Sequence, residues 1–135
     1  MTALTPDLFW LAATATMTAL LWAPHITWLI IQEGLVPALM DGNHAMQVKP
    51  AWAKRAQKAH INAVENLAAF AALVLVAHLS GVDPALTGTF ALWYFILRAA
   101  HYSVYLFGLP VVRTLLFLAA LGVELAIAAH IFALA

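Results

Sequence analysis

Residues 58–80 read Lys-Ala-His-Ile-Asn-Ala-Val-Glu-Asn and then Leu-Ala-Ala-Phe-Ala-Ala-Leu-Val-Leu-Val-Ala-His-Leu-Ser. Lys58, Asn62, Glu65 and Asn66 recur at spacings of three and four, so they share one face of a helix, with His60 near its edge. The residues that follow are apolar on every side apart from His78. A helix that is polar along one stripe and then apolar all round is a membrane span that carries something inside.

The rest of the chain has the same character. Long apolar stretches near 8–31, 85–97 and 114–135 flank this one, with short polar segments between them. Of 135 residues 65% are hydrophobic and 9% charged, with a mean hydropathy of +0.93, too little charge to cover a soluble domain of that length. The spacing predicts an all-α integral membrane protein, a single domain over 1–135 formed by a bundle of four transmembrane helices at about 8–31, 52–80, 85–107 and 111–134. Pro24 falls inside the first helix, where it removes one backbone hydrogen bond and kinks the span beside His25. The segment from Gln32 to Gln57 is the one long loop, while Gly81-Val82-Asp83-Pro84 and Gly108-Leu109-Pro110 are tight stops and restarts. The first apolar stretch follows Asp7, without a basic leader or a small-residue cleavage site, and reads as a retained helix.

Net charge is zero, so no basic footprint points to nucleic acid, and membrane lipid is the bulk partner. The absence of cysteine excludes disulfides, cysteine-ligated metal and a thiol nucleophile of the chain's own; thiol chemistry would need a thiol brought in by a ligand. His25, His44, His78 and His130 are scattered without metal-ligand spacing, and no metal is expected. Trp10, Trp22, Trp28, Trp52 and Trp93 suit an interfacial belt. Ala119, Ala120, Gly122, Ala126 and Ala129 are small enough for close helix approach, and Glu124 needs a partner inside the bundle.

A second polar stripe, Arg98, His101, Tyr102 and Tyr105, lies on the third helix at the same end as the first. Each such residue costs about 2.5–3.5 kcal/mol at mid-membrane on insertion scales, so the stripes are expected to face one another, with a Glu65–Arg98 ion pair between them. Polar residues in a bundle can serve only to hold helices together. Here Lys58, His60, Asn62, Arg98, His101, Tyr105 and Arg113 supply more donors than one carboxylate needs, which suits an anionic, polar ligand.

Lys58-Ala59-His60-Ile61-Asn62-Ala63-Val64-Glu65-Asn66 resembles the second-helix signature of the MAPEG family, the membrane-associated proteins of eicosanoid and glutathione metabolism. Arg98-Ala99-Ala100-His101, Tyr105, Pro110 and Arg113-Thr114 resemble its third- and fourth-helix signature. The resemblance implies a homotrimer that binds glutathione as co-substrate between subunits near the cytoplasmic face, while a lipophilic small-molecule substrate enters from the bilayer. It implies that Lys58, His60, Asn62, Glu65, His101, Tyr105 and Thr114 bind the peptide, that Glu65 and Arg98 pair, and that Arg113 is the catalytic, thiolate-stabilising residue. A guanidinium beside a thiol of pKa about 8.5 favours the thiolate, which is the nucleophile. Lys58 stands where the family usually has arginine, Ile61 where some members are polar, and Glu33 ends the first helix without a nearby arginine.

The function so implied is a glutathione-dependent transferase or peroxidase acting on lipophilic electrophiles. The alternatives are a non-catalytic binder of lipids or lipophilic ligands on the same fold, and a small transporter or scaffold subunit with a purely structural polar cluster. Lys49, Lys54, Arg55 and Lys58 flank the first loop and Arg113 the third, which places both loops in the cytoplasm and both termini outside it, in the inner membrane if the cell is bacterial. A reporter fused at Gly42 should therefore read as cytoplasmic and one at the C-terminus as periplasmic or lumenal; the reverse pattern would invert the site as well.

Overall fold

The computed structural model describes residues 4–40 and 47–134, so Gly42 and His44 lie outside the described residues. The chain is helical almost throughout: α1 (Pro6–Leu20), α2 (Ala23–Glu33), α3 (Leu35–Met40), α4 (Ala51–Leu79), α5 (Pro84–Phe107) and α6 (Pro110–Phe132). Prolines open α1, α5 and α6 at the position where the missing N–H costs nothing. The Asp83 carboxylate accepts the Ala85 N–H at 2.9 Å and so caps α5.

The exits of α4 and α5 are built alike. Gly81 and Gly108 take positive φ, and each helix closes with a pair of reversed bonds, Val82 N–H to Ala77 O with Gly81 N–H to His78 O, and Leu109 N–H to Val104 O with Gly108 N–H to Tyr105 O. At the second exit Arg55 Nε donates to Leu106 O at 2.8 Å, so a cation from the start of α4 satisfies the carbonyl end of α5.

Among the described residues three segments are long and apolar enough to cross a membrane: Pro6–Glu33, Ala51–Leu79 and Pro110–Phe132. The fourth expected span, α5, has the length at 24 residues but carries Arg98, His101 and three tyrosines, which lower its hydropathy. The first span is divided where a kink was expected. Pro24 has no N–H to give to the preceding turn, and the chain breaks at Leu21–Trp22. The Tyr102 hydroxyl from α5 donates to Leu21 O at 3.0 Å and supplies a partner at the break.

Contacts fix an up-down-up-down register around α5, which packs on α1, α4 and α6. Along the antiparallel α4–α5 pair, Phe70 stacks on Tyr94 at 3.8 Å, Arg98 meets Asn62, and Arg55 reaches Leu106. Along α5–α6, Phe90 meets His130, His101 meets Phe117, and Tyr105 meets Arg113. Alpha-helix α1 runs parallel to α5, with Trp10 against Phe95 at 5.3 Å. Buried Ala53, Ala56, Ala59 and Ala63 allow α4 to lie close to its neighbours before Phe70, Val74 and Ala77 take over the core.

One polar contact at the opposite end was not expected. Asp7, fully buried, accepts from His78 Nδ1 at 2.9 Å; a carboxylate only accepts, so the proton sits on Nδ1. Gly88 makes room for this junction, since a Cβ there would lie 2.6 Å from Pro6 Cβ. Thermal unfolding in detergent should show Gly88→Ala destabilised by about 1–3 kcal/mol through overpacking. His78→Leu should cost about 3–5 kcal/mol, because it strands a buried carboxylate. Wild-type melting of either variant would mean that the α1–α4–α5 junction is looser than described.

Candidate functional site

The polar stripe of α5 and the first turns of α6 meet at the end of the bundle opposite Asp7. Arg113, on the first turn of α6, lies with its guanidinium 4.6 Å from the centre of the Tyr105 ring. That distance is within cation–π range, so the ring face holds the charge without neutralising it. His101, one turn back on α5, meets Tyr105 edge-on at 5.7 Å and Phe117 at 6.4 Å. With Asn62 from α4 and Thr114, these residues line a cavity of about 240 Å³. Its polar lining is rich in donors and holds no carboxylate, which suits an anionic ligand.

Thr114 also borders a second, apolar groove of about 310 Å³ formed by Pro110, Val111 and Leu115. The two spaces therefore adjoin across one residue. The Thr114 hydroxyl donates to Pro110 O at 3.0 Å, so its proton is engaged within its own helix and its remaining capacity is as an acceptor.

Of the residues singled out in the sequence, Asn62, His101, Tyr105, Arg113 and Thr114 come together, and Lys58, His60 and Glu65 do not. Lys58 and Glu65 are exposed on the outer surface of α4. His60 lies about 200° round the helix from Lys58, on the far side of the stripe. There its ring stands 6.1 Å from that of His25, whose Nδ1 is buried without a partner. Nearby, buried Lys49 donates to Gln57 Oε1 at 2.9 Å, and burial lowers its pKa.

The expected Glu65–Arg98 ion pair is absent among the described residues. Arg98, 3% exposed, donates from Nη2 to Asn62 Oδ1 at 2.9 Å. Asn62 lies about 60° from Glu65 around the helix, which is enough to put one against α5 and the other outside. The acidic group that faces Arg98 electrostatically is Glu124 of α6, buried and also beside the Tyr94 hydroxyl. Its buried Oε1 has no hydrogen-bond partner among the described residues, so the influence on Arg98 is electrostatic and not a direct contact. Asn66 turns back on its own helix, its Nδ2 donating to Asn62 O at 2.7 Å.

Phe117 was missed as a lining residue. It lies one turn from Arg113 on α6, so the helical spacing that grouped the other stripes would have found it. Asp7 with His78 and His25 with His60 join residues far apart in sequence, and no local pattern marks them.

No curated protein and no solved structure gives a match to the chain. The family model for the MAPEG family does match, over residues 8–133, which is nearly the whole sequence. An apolar helical chain that this model matches over nearly its whole length belongs to the MAPEG family.

Proposed function

We propose that the protein is a glutathione-dependent membrane transferase or peroxidase for lipophilic electrophiles. The observation that carries this reading is the adjacency of the two spaces. A donor-lined cavity with Arg113 at its wall shares Thr114 with an apolar groove, so a polar thiol peptide and an apolar partner can be held side by side. The Arg113 guanidinium favours the thiolate of bound glutathione. The sulfur then attacks the electrophilic carbon, an S–C bond forms, the bond to the leaving group breaks with its electron pair, and the thiol proton passes to solvent. With a lipid hydroperoxide the same sulfur would attack the terminal oxygen, forming an S–O bond as the O–O bond breaks and the lipid alcohol leaves; a second glutathione then displaces that oxygen as water to give the disulfide.

The reading includes four spans, a homotrimer, and the connections between Glu33 and Ala51 and between Phe107 and Pro110 on the cytoplasmic side, the first of these shorter than the loop expected from Gln32 to Gln57 because α4 already begins at Ala51. Lys58 and Glu65 support the trimer: in a single chain both are exposed on a span, where charge facing lipid is costly. A second copy over that face would cover them and bring them to the edge of the cavity. Coextensive packing of α5 with α1, α4 and α6 supports a fourth crossing.

Purified protein mixed with glutathione should show the ultraviolet absorbance of thiolate about one to two pH units below the pKa of the free thiol. Arg113→Leu should remove that signal and lower turnover of an aryl halide or lipid hydroperoxide by about tenfold to a hundredfold. Tyr105→Phe should keep most of both, because the ring face under Arg113 remains. Binding without thiolate, or no binding at millimolar glutathione, would instead favour the non-catalytic binder.

A further inference from the structure

The contact between Arg98 and Asn62 determines more than the packing of two helices. A guanidinium has donors only, so the Asn62 atom that meets it at 2.9 Å is the carbonyl oxygen Oδ1. The two hydrogens of Asn62 Nδ2 are therefore turned away from Arg98, on a side chain that lines the polar cavity. Among the described residues none accepts a hydrogen bond from Nδ2. Arg98 itself is held from behind, 3% exposed, between α4 and α6, with the buried Glu124 carboxyl facing it and one oxygen of that carboxyl unpartnered.

We propose that Arg98, with Glu124 as its buried counter-charge, is a positioning residue that locks the Asn62 carboxamide with Nδ2 presented to the cavity, so that this point of the site selects a ligand oxygen, carboxylate or peptide carbonyl, and rejects a donor. The inference rests on the cavity being the glutathione site and adds what chooses the ligand's polarity there. A free asparagine amide could turn over and accept as readily as donate. Anchored by a donor-only group, it cannot do so without setting Nδ2 against the buried guanidinium, donor against donor.

The sequence has three asparagines, Asn43, Asn62 and Asn66, so detergent-purified protein labelled with the heavy nitrogen isotope in asparagine gives a side-chain amide spectrum of three pairs. The Asn62 pair is identified by its loss in Asn62→Asp. In the Arg98→Leu/Glu124→Leu double variant, which removes both charges together, the Asn62 pair should shift and exchange faster with solvent. Calorimetry should then show glutathione bound about tenfold more weakly, and wild-type preference for glutathione over its single-carboxamide analogues should shrink to near parity. Glu124→Gln should show the same changes at smaller amplitude, and it carries the test if the double variant does not fold. An unchanged Asn62 pair and unchanged preference, with only the melting temperature lowered, would overturn the proposal and leave Arg98 a purely structural residue. If wild-type protein does not bind glutathione, the functional reading fails, while the response of the Asn62 amide to loss of Arg98 and Glu124 still decides the positioning role.

Discussion

A guanidinium buried in an apolar bundle sets the terms for everything around it. Arg98 stays charged at any ordinary pH, and its five donors have no water to fall back on. The helices on either side answer with the groups it lacks, Asn62 Oδ1 from α4 and the carboxyl of Glu124 from α6. The first, a direct hydrogen bond, ties the rotation of α4 to that of α5. Once they are fixed, Tyr94 must stack on Phe70 above, and His101 and Tyr105 must face Phe117 and Arg113 below. The donor-lined cavity is the lower end of the same register.

The site is cationic at its wall without being neutralised there, because Arg113 rests on an aromatic face and not on a carboxylate. An ion pair would have satisfied the arginine and left little for a ligand. The quadrupole of Tyr105 restrains the position of the charge while leaving its hydrogen-bond donors free. The apolar groove beyond Thr114 then places that charge at a boundary between a polar and an oily compartment, where the low dielectric strengthens it.

Much of this was legible in the sequence, and the failures have a common cause. Helix positions and the two polar stripes follow from spacing alone, and Asn62, His101, Tyr105, Arg113 and Thr114 do converge. Spacing fixes an azimuth only to within a side chain's reach. Glu65 and Asn62 read as one stripe, yet the modest angle between them decides that Arg98 meets the amide and not the carboxylate. His60 was placed with Lys58 although it lies on the opposite side, facing His25. The Asp7–His78 contact spans 71 positions and depends on the closeness that Gly88 permits, which is a property of three packed helices and of no local pattern. The break at Pro24 was readable, but its repair by Tyr102 was not, since the hydroxyl comes from a distant helix.

The tight turn between α4 and α5 has a consequence for how the chain is assembled. Among the described residues, helix α5 is the long helix without a stretch apolar enough to count as a membrane span, and it carries the buried arginine. On its own it would be a poor candidate to leave water. Only Ser80 to Asp83 separate it from α4, so the two emerge from synthesis as a helical hairpin, and the side chain that receives the Arg98 charge is already present on the first arm. If α5 is the fourth span of the proposed reading, the hairpin, and not the single helix, is the unit that partitions into the bilayer, and the order of segments along the chain becomes part of what makes a charged helix tolerable.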